Sequence, residues 1–407
     1  MLHVTPPAAQ VIGDAGFAAL ALLMGSFMVS SFLSTGVIKW VGVVGAMRLG
    51  MAMEAGLPLV APFVVRWPAL RPLIFVGSCS TGFGGGILWP ASGIYLQQLA
   101  EPASGRAGEI NGDFFSWFSF NNLIGFGATA LLLQAFSIEV VIWAAGGFAL
   151  LSVAAFFVLV KPWPPPGVNH LAIASAEQPV AAAAAEQTIC GSLTAVLRMF
   201  GRRQALLMAP LAAACGNGEG LLWGTVAKQM GSKVGSYSFI GFAFGSMFGS
   251  RVGGRFSDRV GRVPVTLLAM LMVALGFSAF LLAQWEDAAV LSPEHEGSLF
   301  VQSLYVVTGT CFGMADLAAQ SMGKAAIGLS YGTDQASIDA GYGHFYVVLG
   351  GATTAAYTYG SFFSNELQVA ITIGLALLAS VCFCFLPPDA LAPTAPAAVE
   401  TEAEPKP

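Results

Sequence analysis

The chain has 407 residues, of which 56% are hydrophobic and 10% charged, with a formal net charge of −5. A water-soluble protein of this length carries about 25% charged residues, so the composition excludes a soluble globular class and points to an integral, multi-pass membrane protein. The lipid bilayer is the first partner implied, and the mild negative balance gives no reason to expect a nucleic acid.

A bilayer is crossed by roughly 20 apolar residues in a helix, because lipid leaves open backbone groups unsatisfied. In chain order the first part predicts spans at 14–35, 43–64, 72–98, 113–136 and 139–160. The second part predicts spans at 204–227, 236–256, 263–284, 299–323, 340–361 and 367–386. The expected fold is therefore all-α, with 11 spans arranged as five and then six. Residues 1–160 form an N-terminal half and 204–386 a C-terminal half. Between them, 161–203 opens with "KPWPPPG" and closes on the amphipathic stretch "LTAVLRMFGRR", which reads as a linker with a helix at the membrane surface. The tail 387–407 is rich in Pro, Ala and acid and has no core formers.

Lys and Arg placement sets the orientation. With the linker in the cytoplasm, that side collects thirteen basic residues, Lys324 among them, and the opposite side keeps Arg66, Arg71, Lys228 and Lys233. The cysteines lie mostly inside apolar runs without CxxC or metal spacing. With no nucleophile–base set or phosphate loop either, neither an enzyme nor a cofactor or metal is expected.

Charge clusters between two apolar stretches in "GGRFSDRVGR" (Gly253–Arg262), three arginines around one aspartate. Gly254, Asp258, Arg259, Gly261 and Arg262 match G-x-x-x-D-R-x-G-R, the loop that the major facilitator superfamily places between the second and third spans of a half. Gly254 suits a close approach of two helices, and Asp258 can cap the following helix or pair with an arginine. The positional counterpart in the first part, "GVIKWVGVVGAMR" (Gly36–Arg48), keeps Gly, Lys and a late Arg but has no Asp. A counterpart this early implies that one helix of the usual twelve is missing at the front, either truly absent or lost where the reading frame was begun. A second echo, "STGFGGGILWPASGIYLQQLA" (Ser80–Ala100) against "VTGTCFGMADLAAQSMGKAA" (Val307–Ala326), supports duplication.

Three segments carry a narrower likeness. "GFGGGILWPASGIYLQQLAE" followed by "NGDFFSWFSFNNLIG", then "CGNGEGLLWGTVAK", then the arginine cluster with "GTCFGMAD" beyond it, are similar to the uncoordinated-93-like branch of that superfamily. The resemblance implies a regulator of an ion channel, in potassium homeostasis, or a trafficking partner, with a channel subunit or receptor as its protein partner. It departs from the branch at Pro90–Ala91–Ser92 and in the missing first helix.

Charge inside a span costs roughly 2.5–3.5 kcal/mol on insertion scales, so it is rare and usually has a purpose. Glu54, Glu219 and Asp316 fall inside predicted spans. Glu219 lies in "GNGEG", whose glycines invite a break in the helix and a polar cavity. Asn121 and Asn122 are costly in an apolar span unless they line a cavity or pair across helices. His344 titrates near neutral pH when unperturbed, although a lone His among aromatics is commonly just packed. These six residues are the candidates for coupling. They support the alternative function, a proton-coupled secondary transporter moving a small solute or ion by alternating access.

Overall fold

The computed structural model describes residues 15–100, 107–158, 189–229, 231–288, 298–331 and 334–387. It is helical, with no strand among the described residues. In chain order the helices are α1 (Ala15–Glu54), α2 (Gly56–Arg66), α3 (Leu73–Ala100), α4 (Ala107–Ala135), α5 (Ile138–Phe157) and the short α6 (Ile189–Met199). The second half holds α7 (Arg203–Gly220, continuing to Gln229), α8 (Gly231–Val260), α9 (Arg262–Ala288), α10 (Leu299–Ser330), α11 (Gln335–Tyr359) and α12 (Asn365–Cys384). Because α1 is broken at Gly42, its two limbs, the second continued by α2, are separate spans. Eleven spans result, as the hydropathy predicts. The Pro-rich part of the linker and nearly all of the tail lie outside the described residues, whereas the amphipathic stretch before α7 is α6.

Six segments are long and apolar enough on their own to cross a bilayer, the first of them Gly16–Arg66 with both limbs. The others, α4, α8, α10 and α11, carry the polar residues of the bundle interior.

The two halves repeat one packing scheme. The first limb of α1 lies along α3 as α8 lies along α10, and α2 flanks α3 as α9 flanks α10. Glycines spaced four apart permit both close approaches. A Cβ on Gly82 or Gly86 of α3 would collide with the Leu23 or Phe27 carbonyl oxygen, and one on Gly309 or Gly313 of α10 with those of Ser238 or Phe242. Across the interface between halves, α1 packs on α11 and α4 on α8.

The repeat fails at one place. In the second half α7 packs on both α11 and α12. Among the described residues no helix holds the matching position against α4 and α5. There a groove of about 850 Å³, counting its open mouth, is lined by Asn121, Asn122, Phe126 and Phe148 among others.

Candidate functional site: a carboxylate pair between the halves

The arginine cluster closes one end of the interface. Asp258 stands near the end of α8 and reaches into the other half. Its carboxylate accepts the backbone N–H groups of Gly108 (3.1 Å) and Glu109 (2.8 Å), capping α4 in the other half. Close packing of α8 on α4 explains the choice, since a Cβ on Gly254 would collide with the Gly108 carbonyl oxygen. Arg255 pairs with Glu109 (3.4 Å) and Asp113 (3.8 Å), and Arg251 with Asp113 (3.5 Å). Arg259 is exposed, and Gly261 turns the chain with a φ of 91°. Arg262, the first residue of α9, is fully buried. In the first half the corresponding stretch is no loop. The helix runs through it and bends at Gly42, whose φ is 74°.

Deeper in the bundle a cavity lies between the halves, about 630 Å³ including its open mouth. Trp89, Phe115, Phe118 and Asn122 line it from the first half, and Glu219, Trp223, Asp316, Gln320 and Tyr346 from the second. The walls are mainly aromatic. Trp89 stacks on Phe115 (6.3 Å between centroids, 5° between planes), and Trp223 on Phe239 (4.5 Å, 7°).

The polar centre is a shared hydrogen bond. Gln320 Nε2 donates to Glu219 Oε1 at 3.1 Å and to Asp316 Oδ1 at 3.0 Å. Asp316, Gln320 and Lys324 stand one turn apart on one face of α10, because residues at i, i+4 and i+8 superpose in a helix. Asp316 is 1% exposed and Glu219 half-buried. The "GNGEG" glycines do not break α7. A Cβ on Gly216, Gly218 or Gly220 would strike Leu349, Phe312 or Ala356, so the glycines seat α7 tightly against α11 and α10. The irregularity comes directly afterwards, as a π-helical turn over Leu221–Val226. Single π turns recur at functional sites. Polar clamps hold α7 to its other neighbours: Asn217 Nδ2 donates to Thr372 Oγ1 at 2.7 Å, Thr225 Oγ1 to Gln368 Oε1 at 2.7 Å, and the Tyr359 hydroxyl to Asn217 Oδ1.

Of the six coupling candidates, the cavity gathers Glu219, Asp316 and Asn122. Asn121 is exposed in the α4–α5 groove. Glu54 is buried at the end of α1, away from the cavity, where a Cβ on Gly84 would meet its backbone and its Oε1 finds no hydrogen-bond partner among the described residues. His344 packs edge-on to Phe200 at 4.5 Å, near α6 and outside the cavity lining.

Sequence reading missed Lys324, which it placed among the cytoplasmic charges. Lys324 is fully buried in α10, which runs on to Ser330. Gln320 was missed as well. The four-residue spacing from Asp316 to Gln320 to Lys324 was the signal that could have found both. Trp89 stands in the cavity wall, whereas Trp117 is 69% exposed.

Comparison with known proteins places this architecture. No curated protein sequence matches the chain. Among solved structures, the proton:xylose symporter XylE bound to 6-bromo-6-deoxy-D-glucose superposes with a TM-score of 0.65 at 14% identity, covering 95% of this chain and 88% of that one. A partially occluded inward-open form of the xylose transporter XylE from E. coli gives 0.59 at 11% identity, covering 91% and 87%. A crystal structure of a D-xylose-proton symporter gives 0.60 at 13%, covering 92% and 89%. At such identities these establish the fold alone. The family model described as Major Facilitator Superfamily matches residues 4–352. With that match over most of its length and the duplicated helical halves just described, the chain belongs to the major facilitator superfamily.

Proposed function

We propose that this protein is a proton-coupled secondary transporter of a small solute, working by alternating access, with Glu219 and Asp316 as the groups that take up and release the proton. The observation that carries the reading is the pair of carboxyls on α7 and α10 sharing the single amide of Gln320 at the cavity between the halves. A carboxyl in the membrane interior changes its charge by gaining or losing a proton. A change of charge beside the interface alters which arrangement of the halves is favoured, and this is the differential interaction that a conformational cycle requires. The ionic contacts from Arg251 and Arg255 to Asp113 and Glu109 give α4 and α8 a closure that can break and re-form. The structural relatives named as proton symporters support the same direction.

The test is uptake into proteoliposomes under an imposed pH gradient, with a panel of labelled small solutes. The native protein is expected to concentrate at least one solute when the gradient is present. Glu219→Gln and Asp316→Asn are expected to lose gradient-driven accumulation while keeping solute exchange. Uptake that ignores the gradient and is untouched by both substitutions would sink the proton-coupled reading. The likeness of "CGNGEGLLWGTVAK" and its neighbours to the uncoordinated-93-like branch favours a second reading, regulation of an ion channel or trafficking partner. Altered potassium flux on co-expression with a channel, with no solute accumulation in proteoliposomes, is the result that would support it.

A further inference from the structure

Lys324 stands out among the buried polar groups of the bundle. It is fully buried, and its Nζ finds no hydrogen-bond partner among the described residues. Three rings surround it instead, Phe115 at 4.1 Å, Tyr346 at 5.2 Å and Trp89 at 5.3 Å from Nζ to the centroids. All three also line the cavity between the halves. The Tyr346 hydroxyl and Asn122 Oδ1 are likewise buried, with no hydrogen-bond partner among the described residues.

The asymmetry between acids and base decides the sign of the ligand. Glu219 and Asp316 already accept from Gln320, whereas the ammonium has three N–H donors and no acceptor among the described residues. Aromatic faces attract a cation but accept no strong hydrogen bond, and a buried ammonium normally finds a counter-charge. Asp316, two turns away on the same helix face, attracts the ammonium electrostatically but gives its Nζ no hydrogen bond.

We infer that the cavity takes a small organic anion with an apolar body, its carboxylate or similar acidic group meeting Lys324 Nζ and the Tyr346 hydroxyl while its body lies against the aromatic walls. The inference names the substrate class of the proposed transport site and to that extent rests on the transporter reading. The anion supplies the directly contacting acceptors that Lys324 Nζ lacks, and the rings match an apolar body.

Three probes of nearly the same shape separate the possibilities: benzoate, benzylamine and benzyl alcohol. Binding to the full-length protein in nanodiscs is read by quenching of tryptophan fluorescence, since Trp89 and Trp223 both line the cavity, and by thermal shift. Benzoate is expected to bind and the amine and alcohol to be silent. Lys324→Gln should weaken benzoate by about ten- to hundredfold, the worth of a charge-assisted hydrogen bond. Lys324→Arg should retain part of the binding. Tyr346→Phe, which keeps the ring and loses only the hydroxyl, should weaken it by about two- to tenfold and remains informative if Lys324→Gln fails to fold. Preference for benzylamine or benzyl alcohol, no response to benzoate, or benzoate binding unchanged in both Lys324→Gln and Tyr346→Phe overturns the inference. Benzoate binding without uptake in proteoliposomes supports the anion site and removes the transport reading. Gradient-driven uptake of a cation or a neutral solute alone keeps the transport reading and overturns the anion site.

Discussion

Gly42 and Gly261 share a left-handed backbone, with φ of 74° and 91°, at corresponding junctions of the two halves. Each ends the helix that runs along the glycine-bearing partner, α3 or α10, and starts the helix that flanks it. Among the described residues they alone have positive φ. The duplication is therefore kept in backbone geometry even where the aspartate and arginines of one copy are gone.

Replacing Gly42 by Ala tests this geometry cleanly, because a Cβ there meets nothing within 4 Å. The whole cost is conformational, about 1–3 kcal/mol, because a φ of 74° with a ψ of 165° is a region that essentially only glycine occupies. Unfolding of the purified protein in denaturing detergent should show that loss for Gly42→Ala and a comparable loss for Gly261→Ala, whose φ is 91°. A Gly42→Ala protein as stable as the native one would show that the bend relaxes freely.

Asp258 reaches across the interface to cap α4, so its loss should act on both halves. Asp258→Ala is expected to cost about 1–2 kcal/mol, the usual worth of an N-cap. It should also widen the distance between spin labels at the Asp258 ends of α4 and α8. Asp258→Asn keeps an acceptor and should fall between the two. If the label distances do not change in Asp258→Ala, the cap does not hold the halves together.

The ion pairs around the cap should matter less. Arg255 is about half-exposed, with separations of 3.4 and 3.8 Å to Glu109 and Asp113. A double-mutant cycle of Arg255→Ala and Glu109→Ala is expected to return a coupling of about 0.2–1 kcal/mol. The coupling should shrink as salt is raised, since exposed pairs are screened. A coupling above about 2 kcal/mol, insensitive to salt, would show that the ion pairs hold this end of the interface more firmly than the Asp258 cap does.

Gln320 is the donor that the two cavity carboxyls share. Gln320→Leu keeps the approximate volume and removes both hydrogen bonds, leaving Asp316 buried without that partner. The expected loss is about 1–3 kcal/mol of stability, together with loss of gradient-driven uptake in proteoliposomes. Full stability and unchanged uptake would show that the bridge is incidental.

How much of this was legible in advance depends on the scale of the cause. The arginine cluster could be assigned because its residues are consecutive. Its partner could not, because Asp258 and Gly108 are 150 positions apart and meet only when α8 lies against α4. Glu219 and Asp316 were conspicuous by the cost of charge in an apolar run, and that cost is local. Their shared donor was not, since a glutamine in a span is unremarkable until two acids converge on it. The same reasoning explains the misplacement of Lys324. Near a predicted span end, a lysine reads as a cytoplasmic charge, and only the extension of α10 by two further turns carries it into the bundle.

By itself, the sequence determined the class, the number of spans and the superfamily. Each of these is set by runs of apolar residues or by a contiguous motif, and lipid forces such runs into helices. The tertiary structure decided which polar residues face one another. It turned "GNGEG" from an expected break into a packing surface, separated Glu54 and His344 from the cavity, and set Lys324 among three aromatic rings. Those outcomes depend on the rotation and register of helices against one another, which side-chain packing fixes and a linear pattern does not record.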